Sequence, residues 1–280
     1  MGTNLTVETR AGTMAYQQAG AGDPVILIHG IPTNSGLWRN VMADLASDFA
    51  VYAPDMIGYG ASDKPEDQDL SVGAQADYLV DFMDAVGIDA AHLVGHDIGG
   101  GVAQVFTVRN RDRVNKLVLV DSVAYDSWPE PGIARLKEPA WDEIMQRLDI
   151  TKGFRKGLEQ GMVQTDKITD EVVDRYADPF RDLDGRLAYL RAARALDNRD
   201  LLDIADEIEA IDKPVLILWG DSDIFQKVEY GRRLADALAD ARLVVIDGAG
   251  HFLPEDQPEV LAQHIRKFLV TLEARGQVSA

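Results

Sequence analysis

The sequence predicts an α/β protein: a doubly wound, mostly parallel sheet with helices on both faces and an inserted helical cap. Three observations lead there. Short β-rich apolar runs recur along the chain, stretches with the helix period lie between them, and one long interval carries helical patterns only. Alternating strands and helices build parallel sheets, whose strands are covered on both faces and so lose the polar alternation of a half-exposed strand. With 280 residues, 46% of them hydrophobic, the chain can bury a sizeable core.

Taken in order, the strand-like runs are "PVILIHG" (24–30), "FAVYAPD" (49–55), "AAHLVGH" (90–96), "NKLVLVD" (115–121), "KPVLILWG" (213–220) and "ARLVVIDG" (241–248). Between them, "SVGAQADYLVDFMDAVG" reads as a helix with Ala74, Tyr78, Leu79, Phe82 and Val86 on one stripe. From about Ala124 to Asp206 only charged amphipathic stretches appear, such as "WDEIMQRL" and "LDGRLAYLRAARALDNRDLLDIA". The expected organisation is a sheet core in two parts, 1–123 and 207–280, with a helical cap over 124–206. A cap there would cover the carboxyl ends of the strands, where open α/β sheets bind ligands.

Composition narrows the function. A net charge of −19 opposes binding to nucleic acid or to an anionic membrane surface, because the phosphate attraction becomes repulsion. With no cysteine, the chain has no disulfide framework, thiolate zinc site or cysteine nucleophile, which suits a cytoplasmic protein. The first twenty residues lack the basic-then-apolar order of a secretory signal, and no apolar run reaches the ~20 residues of a membrane span. Acidic pairs such as Glu207 and Glu209 read as solvated helix surface. No metal and no cofactor are expected; the expected partners are a small-molecule substrate and water, in a monomer or homodimer.

The chemistry is sought at "LVGHDIGGGV" (93–102). Gly95-His96-Asp97-Ile98-Gly99 has the spacing of a G-x-S-x-G turn between strand and helix, with aspartate in the serine position. Glycines also stand at ordinary β–α turns, so partners are needed. A carboxylate nucleophile requires a histidine, and the histidine requires an acid to set its tautomer. Of five histidines, His251 lies in the glycine-rich loop "DGAGHFLPEDQPE", after the last strand and before the last helix. "LWGDSD" ends the preceding strand and offers Asp221 and Asp223.

These residues carry a resemblance. Through "HGIPTNSGLWR" (29–39), "DMIGYGASDKP" (55–65), "GHDIGG" (95–100), "LWGDSD" (218–223) and "GAGHFLPEDQPE" (248–259), the chain resembles the α/β-hydrolase superfamily. It is most similar to the aspartate-nucleophile branch of epoxide hydrolases and haloalkane dehalogenases. The resemblance implies Asp97 as nucleophile, His251 as base and Asp223 as its orienting acid. Asp121, ending "LVLVD", is the rival acid position. It also implies the backbone N–H groups of Ile31 and Ile98 as the oxyanion hole.

Aspartate in the serine position has a chemical meaning. A carboxylate is a poor acyl-transfer nucleophile, but it displaces a leaving group from saturated carbon and becomes an alkyl ester, which the base then hydrolyses. Haloalkane dehalogenases typically hold the halide with an asparagine and a tryptophan side chain at the positions of Ile31 and Ile98; an isoleucine side chain can donate to no halide. Fluoroacetate dehalogenases usually place arginine at the position of Ile98. Epoxide opening needs instead an acid for the alkoxide, and Tyr125, Tyr176 and Tyr189 are the candidates in the cap, with Trp128 and Trp141 as candidate pocket or indole-donor residues. The expectation is a cofactor-independent epoxide hydrolase acting on small hydrophobic substrates. Dehalogenation is the alternative; an esterase, lactonase or lyase using Asp97 as base, or a non-catalytic ligand-binding protein, are further ones.

Overall fold

Eight strands form one sheet in the computed structural model, which describes residues 2–271. They are β1 (Thr3–Thr9), β2 (Gly12–Ala19), β3 (Asp23–Ile28), β4 (Phe49–Pro54), β5 (Ala91–His96), β6 (Val114–Val120), β7 (Val215–Gly220) and β8 (Ala241–Ile246), in the order β1-β2-β4-β3-β5-β6-β7-β8. The six strands from β3 onward run parallel to their neighbours. β1 and β2 form an antiparallel hairpin added at one edge, β2 lying antiparallel to β4.

That hairpin is absent from the strand-like runs of the sequence, for a physical reason. Along β1, exposed and half-buried residues alternate, so it presents no continuous apolar run. The central strands β5 and β7 are buried at every residue. Trp38 and Trp219 are both fully buried.

On the core lie helices α1 (Arg39–Leu45), α2 (Val72–Val86) and α3 (Ile98–Arg109). The Ser71 side chain accepts the Ala74 N–H to start α2, and Gly87, with φ of 75°, ends it. Its buried face differs from the stripe read in the sequence: Leu79 and Phe82 are buried, but Ala74, Tyr78 and Val86 are only half-buried. Val72, Gln75, Ala76 and Met83 complete the inner face. Gln75 is inside because its amide donates to the Ile57 carbonyl at 2.8 Å, a long-range partner that hydropathy does not register.

Between β6 and β7 the chain forms helices only: α4 (Pro131–Ala134), α5 (Trp141–Arg147), α6 (Ile150–Gly161), α7 (Asp170–Ala177), α8 (Leu183–Ala195), α9 (Arg199–Leu202) and α10 (Ala205–Glu209), with short 3-10 turns. Ile150, Phe154 and Leu158 line the buried side of α6 at four-residue spacing, and α6 packs on α7. The last two, α9 and α10, pack against α3 of the core. The chain then completes the sheet, with α11 (Val228–Ala237), α12 (Leu253–Asp256) and α13 (Pro258–Val270). Among the described residues, no helix is long and apolar enough to cross a membrane.

Candidate active site

The turn from β5 into α3 sets the centre of the site. A Cβ on Gly95 would lie 2.3 Å from the Gly99 carbonyl oxygen, and one on Gly99 would lie 2.3 Å from that of His29. Strand, turn and helix therefore close up only with glycine at both positions. Asp97, at the apex, has φ of 52° and ψ of −123°. A non-glycine residue held there costs on the order of 1–3 kcal/mol, and the surrounding backbone must impose it. The Asp97 carbonyl accepts from the amides of Gly100 at 3.0 Å and Val123 at 3.1 Å, which supplies that constraint.

The side chain of Asp97 meets the loops after β3 and β8, and His251 links it to the loop after β7. Its Oδ2 accepts the Ile31 N–H at 3.0 Å. His251 Nε2 lies 3.9 Å from Asp97 Oδ1, and His251 Nδ1 lies 2.9 Å from Asp223 Oδ2. The other oxygen of Asp223 accepts the amides of Phe225 at 2.8 Å and Gln226 at 2.9 Å, which fixes the carboxylate toward the imidazole. The rings of Phe225 and Phe252 stand edge-to-face with that imidazole, 5.3 and 5.2 Å away, excluding water from its sides. Behind it, His96 Nε2 is 2.8 Å from the His251 carbonyl.

The choice among acids follows from these contacts. Asp221 faces the turn after β8, accepting the amides of Gly248 at 3.0 Å and Ala249 at 3.4 Å. Asp121 is fully buried, but its Oδ1 accepts the Gly220 amide at 2.7 Å and its Oδ2 has no partner among the described residues. Asp223 is the carboxylate bonded to His251.

Burial raises the Asp97 pKa to about 6, against the opposing pull of His251 and of the Ile98 and Ile31 amides. For His251, burial favours the neutral ring, but the charge and hydrogen bond of Asp223, followed by the charge of Asp97, outweigh it and raise the pKa to about 9. Near neutrality the resting pair is carboxylate and imidazolium. Burial together with the charge of Asp223 pushes Asp121 well up, favouring its neutral acid.

Asp97, Ile31, Ile98 and His251 form part of the wall of a cavity of about 720 Å³, the rest coming largely from the inserted helices. Four of the five aromatic candidates line it: Trp128, Trp141, Tyr176 and Tyr189. Tyr125 does not. Its hydroxyl donates to Glu209 Oε1 at 3.0 Å and its ring carries the Arg233 guanidinium 3.5 Å away, so it joins insertion to core outside the cavity. The Tyr176 hydroxyl is engaged as well, donating to buried Glu255, whose other oxygen receives Arg39 Nη2 at 2.7 Å. The Tyr189 hydroxyl bonds to no other group among the described residues, although its ring sits between Phe154 and Phe180. The indole N–H of Trp128 has no partner among the described residues.

Sequence reasoning missed two cationic wall residues, Arg135 and Lys156. The Arg135 guanidinium lies 5.4 Å from the Trp141 ring. Arg135 follows α4 by one position, too short a helix to show periodicity; Lys156 lies on α6 two residues from buried Phe154 and Leu158, a spacing that reads as outward-facing.

The sequence matches the α/β hydrolase fold family over residues 23–258. Sheet order, the strained turn and the Asp97–His251–Asp223 arrangement agree with that match: the chain belongs to this family and is a hydrolase. It is 30% identical to 2-hydroxymuconate semialdehyde hydrolase of Pseudomonas sp. (strain CF600), over 91% of this chain and 90% of the relative. It is 28% identical to soluble epoxide hydrolase of Corynebacterium sp. (strain C12), over 92% and 94%. Haloalkane dehalogenase 2 of Mycobacterium tuberculosis is also 28% identical, over 92% of each chain. Among solved structures, the fold superposes on epoxide hydrolase CorEH with a TM-score of 0.84 at 24% identity, covering 96% of this chain and 98% of that one.

Proposed function

We propose that this hydrolase opens epoxides of small hydrophobic molecules through a covalent ester on Asp97. The observation that carries the reading is a carboxylate, rather than a hydroxyl, at the strained turn, with one oxygen held by the Ile31 amide and the other facing His251 in the cavity. Asp97 Oδ1 attacks a ring carbon in line, the carbon–oxygen bond of the epoxide breaks, and the departing oxygen takes the proton of Tyr189. With the Asp97 charge gone, His251 releases its resting proton to solvent, to be regained at the end of the cycle; the neutral ring then takes a proton from water as that water adds to Cγ of Asp97, and the Ile31 and Ile98 amides hold the oxyanion. Such donors contribute about 3–4 kcal/mol each when judged by deletion. Collapse breaks the Cγ–O bond to the alkyl group, imidazolium protonates the leaving alkoxide, and the diol departs. The proton left on Asp97 returns through solvent to Tyr189.

The charge states suit this order. Alkylation removes the Asp97 charge, one of the groups holding His251 protonated, so the ester lowers the pKa of the ring and leaves more of it neutral and able to accept a proton. The inserted helices act as a lid that keeps bulk water from the ester. Epoxide is favoured over halide because Ile31 and Ile98 present hydrocarbon beside Asp97, while Tyr189, whose hydroxyl bonds to no other group among the described residues, is part of the cavity wall.

The test is to replace His251→Gln, expose the protein to panels of epoxides and haloalkanes, and weigh the intact chain. An increment equal to the epoxide, mapped to Asp97, is expected. Adducts from haloalkanes alone, with halide released, would move the activity to dehalogenation; no adduct from either panel would defeat the ester mechanism.

A further inference from the structure

We infer that Asp256 is a positioning residue that ties the loop carrying His251 to the inserted helix α6, so that the cavity wall and the base of the proposed reaction move as one piece. Asp256 closes α12 and is fully buried, yet it touches neither the cavity nor the imidazole. Its carboxylate spans two parts of the molecule. Oδ2 accepts the Gly250 amide at 2.7 Å, and Gly250 is the residue before His251. Oδ1 accepts the Gln164 amide at 2.9 Å, and the Val163 amide lies 3.1 Å from both oxygens. Val163 and Gln164 follow the end of α6, whose Phe154, Gly157, Leu158 and Gln160 form part of the cavity wall.

The backbones meet at the same joint. The Phe252 amide donates to the Gly161 carbonyl at 3.3 Å. A Cβ on Gly250 would lie 2.2 Å from that carbonyl oxygen, and one on Gly161 would lie 2.7 Å from the Phe252 ring and 2.8 Å from the Phe225 ring. Both rings pack on the His251 imidazole. From the insertion side, Lys167 Nζ donates to the Asp256 carbonyl at 2.6 Å. Hydrogen bonds to a charged acceptor are about twice as strong as neutral ones, and losing the acceptor leaves buried N–H groups on both sides unpaired. Displacing α6 therefore displaces Gly250, and with it the Nδ1 contact to Asp223 and the Nε2 approach to Asp97.

This inference rests on the reading of Asp97 and His251 as the reacting pair, and it is tested in two arms. Asp256→Asn keeps the size but turns an NH2 toward N–H groups; Gly161→Ala presses on the same joint without touching Asp256 or His251. The first arm uses NMR on the full chain. In either variant the Gly250, Val163 and Gln164 amides should exchange faster together, and His251 should titrate nearer its ordinary value than in the parent. The second arm uses styrene oxide as probe: kcat should fall by about 100-fold with KM changed little, and the alkyl-enzyme should accumulate. A variant that folds, melts at lower temperature and leaves the His251 titration and kcat as in the parent would make Asp256 purely structural and overturn the inference. A parent without turnover or adduct would defeat the ester reading, while the NMR arm would still decide the coupling.

Discussion

His251 Nε2 stands 3.9 Å from Asp97 Oδ1, beyond hydrogen-bond reach, while its Nδ1 lies within reach of Asp223 Oδ2 at 2.9 Å. The imidazole is thus fixed from one side and left available on the other. In the proposed reaction it would keep its orientation as Asp97 becomes an ester, with its second nitrogen left to meet a water.

The acid limb of the first half-reaction should report Asp97. Attack needs the carboxylate, whose pKa burial raises to about 6. Ester formation in His251→Gln removes one of the groups that lower that pKa, so its midpoint should lie at or above this value. Rapid-quench mass measurement across pH 4–8 checks it; a midpoint near the ordinary ~3.9 would contradict the buried, desolvated environment.

His251 should make stability depend on pH in the alkaline range. Its folded pKa, about 9, exceeds the unfolded value of about 6.5, so the stabilisation is complete below the latter and is lost as pH rises through the former. Asp223→Asn removes the main cause. Its thermal unfolding should therefore fall furthest below the parent near pH 6, and the gap should narrow toward pH 9.5.

The two buried acids should separate cleanly. Asp223→Asn loses the acceptor that sets the His251 tautomer, and hydrolysis of the ester should slow by roughly 10²–10⁴-fold. Asp121, held toward its neutral form, becomes an amide of the same shape that still accepts from Gly220, so Asp121→Asn should leave turnover within about threefold. Single-turnover decay of the ester distinguishes them.

Tyr189→Phe should slow epoxide alkylation by on the order of 10²-fold through loss of the proton donor. Tyr176→Phe should appear mainly in thermal unfolding, by about 1–3 kcal/mol, because it strips a donor from buried Glu255. Comparable alkylation losses in both would return the acid role to the pair.

Gly99→Ala should fail to accumulate as folded protein, since its methyl group meets the His29 carbonyl oxygen at 2.3 Å and both are backbone-fixed. Soluble expression and circular dichroism provide the check.

Local sequence determined a great deal here. Central parallel strands buried on both faces write themselves as unbroken apolar runs, so β5 and β7 were legible, and the half-buried β4 and edge strand β8 were legible because their residues are mostly apolar all the same; the spacing of Gly95, Asp97 and Gly99 made the turn legible, because only glycine allows that approach. His251 stood out by its place in the loop after β8. What needed tertiary structure was every decision that turns on a distant partner. The β1–β2 hairpin, half-exposed at an edge, has no hydropathy signature. Gln75 belongs to the inner face of α2 because of the Ile57 carbonyl. Tyr125 and Tyr176 leave the list of free acids because Glu209 and Glu255 lie 84 and 79 residues onward. The resemblance pointed to Asp223, and the folded loops aim that carboxylate, rather than Asp221 or Asp121, at the imidazole. Periodicity encodes which face is buried; which polar atom a buried group finds is set by how the loops converge.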